Sequence, residues 1–137
     1  MVDAERLRRI LQGVADDLAI LREYADQEEQ TLLEDQKALG HIKYLFVTAI
    51  GRCADAAHHV CASEGWGPPE SSASAMDVLA RHGALPEGLR LPMRATVGFR
   101  NVLVHEYAEV DDSRVTAALR DLHDLERFIA AIAPLAK

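Results

Sequence analysis

The chain has 137 residues, with 15 Lys and Arg against 22 Asp and Glu, a formal net charge of −7, 49% apolar residues and only 5% aromatics. That length suits one domain spanning 1–137, the apolar fraction excludes disorder, and the scarcity of aromatics among many Ala and Leu leans towards helix. The acidic balance argues against a broad duplex-DNA surface held by counterion release. The charged N-terminus and the longest apolar run, Phe128 to Ala136, which falls short of the ~18–20 residues of a membrane helix, point to a cytoplasmic protein with no membrane segment.

Segment 3–26 carries Leu7, Ile10, Leu11, Val14, Leu18 and Leu21 on one face at helical spacing, with Asp3 placed to cap it. A second helix is expected from a capping box at Thr31–Glu34, with Leu39, Ile42, Phe46, Ala49, Ile50, Cys53, Ala57 and Val60 inward, and a kink near Gly40 or Gly51. Gly65 and the two prolines that follow Gly67 end it. A second capping box at Ser74–Asp77 starts a short helix that stops at Gly83. A fourth helix covers about Glu87 to His105, with Leu89, Met93, Val97 and Val104 on one face. The last begins near Asp111 or Asp112 and shows Val115, Leu119, Leu122, Leu125, Ile129 and Ile132. No window alternates as a strand does. The fold expected is an all-α bundle, with two long antiparallel N-terminal helices and shorter helices packed on them.

Cys53 and Cys61 lie eight residues apart on one predicted helix, about 12 Å along its axis. A disulfide needs Cα atoms within about 7 Å, so both read as small buried hydrophobes. Charge is unevenly spread: residues 81–105 hold Arg81, Arg90, Arg94 and Arg100 against Glu87 alone. Such a local cationic stretch in an acidic chain is where an anionic ligand would go, although four arginines spread over a solvated helix face would look the same.

The stretch Gly98-Phe-Arg-Asn-Val-Leu-Val-His-Glu-Tyr107 sets Arg100, Asn101, His105 and Tyr107 at the end of an otherwise apolar helix. Asn101 and His105 are i and i+4 and share a face, and Arg100 would align with Tyr107 if the helix continued. Val102, Leu103 and Val104 are expected to anchor the helix in the core. Together with Phe99 they also offer more apolar surface than one core face needs, which suggests a homodimer. Imidazole, guanidinium and amide suit phosphodiester cleavage in RNA. An imidazole moves protons near neutral pH, a guanidinium stabilises a charged phosphorane, and the 2′-OH supplies the nucleophile without a metal or cofactor. On spacing alone, a helix-end Arg, Asn, His and Tyr are more often caps and surface hydrogen bonds than an active site.

Elsewhere, His58 and His59 point about 100° apart and cannot chelate together. Asp55 and His59 are an i, i+4 pair read as a local hydrogen bond that lines the cleft if the second helix packs on the motif helix. His41, His82 and His123 look solvated, and Trp66 looks like a seal at the core edge.

Arg100-Asn-Val-Leu-Val-His105-Glu-Tyr107 resembles the R-x4-H-x-Y motif of the HepT-like toxins, within the HEPN superfamily of helical ribonucleases. The likeness extends to Cys53–His59, to Gly67–Leu79, to the Gly83–Pro86 turn and to Glu109–Asp111. It implies a HEPN-type bundle acting as a metal-independent endoribonuclease toxin of a type VII-like toxin–antitoxin pair, homodimeric, with the motif helices facing across a shared cleft. It implies Arg100 and His105 as the catalytic pair, supported by Asn101. It implies a partner antitoxin of the MntA-type nucleotidyltransferase class that silences the toxin by transferring AMP to Tyr107. The rival expectation is a non-catalytic HEPN module that binds nucleotide or RNA and docks a minimal nucleotidyltransferase.

Overall fold

The computed structural model describes residues 2–137. In chain order the helices are α1 (Ala4–Ala25), α2 (Glu29–Leu33), α3 (Gln36–Ser63), α4 (Ser72–Arg81), α5 (Glu87–His105), α6 (Asp112–Leu119) and α7 (His123–Ile132), with 3-10 turns at Tyr107–Glu109 and Ala133–Ala136. Among the described residues there is no strand, so the all-α expectation holds.

α1 starts where Asp3 accepts a hydrogen bond from the Arg6 N–H at 3.1 Å, and it buries Leu7, Leu11, Val14, Leu18 and Leu21. That face packs along α3 in antiparallel register. Gly13 and Asp17 meet Arg52, Asp17 also meets Thr48, and Tyr24 meets His41 through a 2.6 Å bond between its hydroxyl and Nδ1. His41 is therefore tied to α1 rather than freely solvated. α3 buries Leu39, Ile42, Phe46, Ala49, Ile50, Cys53, Ala57 and Val60 as expected, and both thiols are free and buried. Burial pushes the Cys53 thiol far up and outweighs the nearby Arg81 at Cys61.

Three boundaries differ from the sequence reading. The helix expected from Thr31 is broken at Glu34, and Asp35 caps α3 by accepting from the Ala38 N–H at 3.1 Å. The cap of α4 lies three residues earlier than Ser74. Ser71 accepts from the Ser74 N–H, while the Ser74 hydroxyl accepts from the Ser71 N–H. Asp77 is thereby released to bind Arg90 at 3.0 Å and Arg94. The final helix is split at Arg120–Leu122 into α6 and α7. Asp111 does cap α6, accepting from the backbone and side chain of Ser113, which hold its carboxyl below the usual range. Gly40 and Gly51 do not interrupt α3, which runs unbroken past both.

Candidate functional site at the end of α5

α5 is anchored by Leu89, Met93, Val97 and Leu103, all buried. Of the Val102–Val104 run only Leu103 reaches the core; Val102 is half-buried and Val104 is 43% exposed. Phe99 packs edge-on against Phe46 at 5.5 Å, under the Arg114 guanidinium. The opposite face of the helix is uncovered. Leu91, Ala95, Gly98, Asn101 and His105 follow one another at three- and four-residue steps, and all are exposed. A Cβ built on Gly98 would meet nothing within 4 Å. Asn101 and His105 thus share a face, as their spacing predicted, and that face is a stripe of small and apolar residues.

Arg100 lies elsewhere. Five residues of helix separate it from His105, about 140° around the axis. It turns towards α3, where its Nε stands 3.9 Å from the Cβ position of Gly51, buried and without a hydrogen-bond partner. It lines a cavity of about 370 Å³ together with Thr48, Gly51, Arg52, Asp55 and Ser72. Asp55 does line the cleft with the motif arginine, and the expected Asp55–His59 bond does not form: the His59 Nε2 is buried without a partner, while His58 meets the Ser72 hydroxyl at 3.3 Å. Among the described residues no three His, Cys, Asp or Glu side chains cluster closely enough to hold a metal ion.

The helix stops at His105. The Glu106 N–H still bonds the Val102 carbonyl at 2.8 Å, but its backbone (φ −129°, ψ 35°) leaves the helix, and Tyr107 enters a 3-10 turn. The alignment of Arg100 with Tyr107 that a longer helix would give is therefore absent. Tyr107 lies against the start of α3 instead, with its hydroxyl 3.4 Å from the Cβ position of Gly40 and Lys43 Nζ 5.0 Å from its ring centre. Lys43 is only 8% exposed and pairs with Asp112 at 3.1 Å, pinning the end of the turn to α3. Tyr107 itself is 47% exposed. Gly40 and Gly51 are eleven residues apart on α3, about 16 Å along its axis, so the tyrosine and the motif arginine of one chain occupy separate places. Of the four arginines in 81–105, Arg90 and Arg94 are spent on Asp77, with Glu87 also on Arg90.

At both glycines of α3 a site residue packs directly on the helix, where a Cβ would make ordinary van der Waals contact with it. Trp66 is stacked flat on His82 at 4.1 Å and seals the end of the bundle between the α3–α4 and α4–α5 loops. Among the described residues no helix is long and apolar enough to cross a membrane.

Comparison with known proteins gives three consistent results. The family model described as ribonuclease HepT-like matches residues 14–132. An mRNA nuclease HepT of Shewanella oneidensis is 33% identical over 81 residues, covering 58% of this chain and 61% of that protein. Among solved structures, a tri-AMPylated Shewanella oneidensis HEPN toxin in complex with an MNT antitoxin superposes with a TM-score of 0.86 at 21% identity, over 98% of this chain and 99% of that one. A toxin–antitoxin structure with AMP-PNP superposes with a TM-score of 0.85 at 20% identity, over 93% of this chain and 97% of that one.

Proposed function

The chain belongs to the ribonuclease HepT-like family, and we propose that it is an endoribonuclease toxin that cuts RNA through Arg100 and His105. The observation that supports this most is that α5 carries His105 with Asn101 on one exposed face and, on the face turned to α3, an arginine whose Nε is buried and unpaired. The 2′-oxygen of the substrate attacks the adjacent phosphorus, and the bond to the leaving 5′-oxygen breaks. His105 handles the proton passing from the 2′-hydroxyl towards the leaving oxygen. Arg100 stabilises the charge that accumulates on the phosphorane, and Asn101, one turn before His105, orients the imidazole or the substrate. No step calls for a metal.

In one chain Arg100 and His105 diverge around the helix, and the exposed face that carries His105 is the seam of a homodimer in this reading. Two chains packed along Leu91, Ala95 and Gly98 would set two Asn101–His105 pairs side by side. The partner is a nucleotidyltransferase antitoxin of the MNT type seen with the structural neighbour, and Tyr107 is the residue it modifies. The phenol oxygen attacks the α-phosphate of ATP and pyrophosphate leaves. Because Tyr107 and Arg100 are distant within a chain, silencing does not come from pairing the new phosphate with the same chain's Arg100. It comes from a bulky anion at the edge of the cleft that excludes the RNA backbone.

The test is expression and purification of the chain alone and as His105→Ala. Growth arrest and RNA cleavage that the substitution abolishes support the enzyme. Loss of neither, or RNA binding with no cleavage by the unsubstituted protein, favours the binding module. Intact mass after incubation with ATP and the nucleotidyltransferase should rise by adenylyl units in the unsubstituted chain and not in Tyr107→Phe. A gain that persists in that variant would mean another acceptor.

A further inference from the structure

Arg52 lines the same cavity as Arg100, and its guanidinium is braced by α1 at the cavity's edge. Arg52 leaves α3 and crosses α1 at Gly13, where a Cβ would stand 2.7 Å from both its Cδ and its Nε. Only glycine leaves that path open. Beyond the crossing, Arg52 Nη1 donates to Asp17 at 2.6 Å and, more weakly, to the Gly13 carbonyl at 3.5 Å. Asp17 is itself steadied by the Thr48 hydroxyl, which donates to it at 2.6 Å. The Asp17 side chain is 13% exposed and the Arg52 side chain 41%, so the brace is anchored on its buried side while the guanidinium still reaches solvent. Both bonds use the same nitrogen. A guanidinium has five N–H donors, and among the described residues Nε and Nη2 of Arg52 have no partner, while the residue lines the cavity with Arg100.

We infer that Arg52 forms a second phosphate-binding site in this cavity, holding a phosphodiester of the RNA backbone next to the one that Arg100 contacts. The inference rests on the ribonuclease reading above and extends it by one residue and one substrate phosphate. The ligand is a diester rather than a terminal phosphate, because Asp55 lines the same cavity and its carboxylate repels a dianion more than a monoanion. Arg52 is a binding residue; Gly13 and Asp17 are positioning residues.

The experiment uses the purified full chain and a fluorescent 2′-O-methyl RNA 12-mer, which lacks the attacking hydroxyl and is not cut. Its dissociation constant is read by anisotropy across a salt series. Arg52→Gln should weaken binding about tenfold and lower the slope of log K against log salt by about 0.7, the share of one single-strand phosphate contact. Gly13→Ala should act in the same direction by displacing the Arg52 stem, and Asp55→Asn should tighten binding. Arg127→Gln removes the same charge from an exposed position on α7 and should leave the slope unchanged. A slope unaltered by Arg52→Gln while Arg100→Gln lowers it overturns the second site and leaves the ribonuclease reading standing. If the unsubstituted chain neither binds the 12-mer nor cleaves RNA, the ribonuclease reading fails and the inference falls with it. A purely structural role for Arg52 would lower thermal stability without moving the slope, and that result also overturns it.

Discussion

Replacing Gly98 by Leu should strengthen the single chain and weaken its assembly, two effects of opposite sign from one change. Nothing lies within 4 Å of the Cβ position of Gly98, so within one chain the new side chain meets only solvent. A glycine inside a helix costs roughly 0.8–1 kcal/mol relative to a good helix former, and removing it also narrows the unfolded ensemble. Stability of the isolated chain should therefore rise by about 0.5–1 kcal/mol. In a dimer packed along this stripe the axes of the paired α5 helices would lie about 8–10 Å apart, with no space reserved for leucine. Overpacking costs about 1–3 kcal/mol, and two-fold symmetry imposes it on both copies, so dimerisation should lose about 2–6 kcal/mol. That is a rise in the dimer dissociation constant of roughly 30-fold to 20,000-fold. Light scattering at micromolar concentration should show two chains for the unsubstituted protein and one for Gly98→Leu, with RNA cleavage lost at the same concentration. Urea unfolding of the variant at high dilution should show the raised stability. An undiminished dimer with undiminished cleavage in Gly98→Leu would refute the stripe as the dimer seam and with it the pairing of the two Asn101–His105 sets.

Cleavage should survive EDTA, since the 2′-hydroxyl supplies the nucleophile and no described His, Cys, Asp or Glu cluster suits a metal; loss on chelation with recovery on adding a divalent ion would contradict this. Lys43→Met should cost about 2–3 kcal/mol by urea unfolding, below the full penalty of splitting a buried pair because Asp112 is one-third exposed; an unchanged midpoint would show that the pair contributes nothing net. Cys53 should resist thiol reagents at pH 8 until the chain unfolds, because burial raises its pKa; rapid labelling of the native protein would argue against that burial. The Asp111 cap should contribute stability to α6 that is present above the ordinary carboxylate pKa of about 3.9 and lost as pH falls through its depressed folded value; amide protection in α6, corrected for the intrinsic exchange rate at each pH, that is the same in Asp111→Ala as in the unsubstituted chain at neutral pH would contradict the cap.

The helical faces were legible because burial enforces a period of 3.6: every inward position read on α1 except half-buried Ile10, and every one read on α3, is buried, while α3 also buries Lys43, Leu45 and Ala56 because it is covered on more than one side. The boundaries were less so. Thr31–Glu34 reads as a capping box, but Asp35 lies four residues on and caps equally well locally. The choice is made at a distance, where Leu32 is buried and Glu29 bonds Thr116 of α6 at 2.9 Å. The α6–α7 break was invisible because no Gly or Pro marks it and Leu119, Leu122 and Leu125 stay buried across it. At the site, the face shared by Asn101 and His105 follows from spacing. The surroundings of Arg100 do not, since Thr48, Gly51, Asp55 and Ser72 come to it from α3 and α4, far away in the sequence. The cationic stretch 81–105 was overread for a similar reason: Asp77 looked like a cap, whereas folding sets it against two of the four arginines.

The flat stack of Trp66 on His82 gives the molecule its own optical probe. Trp66 is the sole indole in the chain, and its emission depends on the ring stacked on it and on its access to water. Fluorescence therefore follows the joining of the α3–α4 and α4–α5 loops and shifts to the red when they part. Those loops lie at the end of α3 away from Tyr107, so the signal separates opening of that end of the bundle from events at the modification site without any added label.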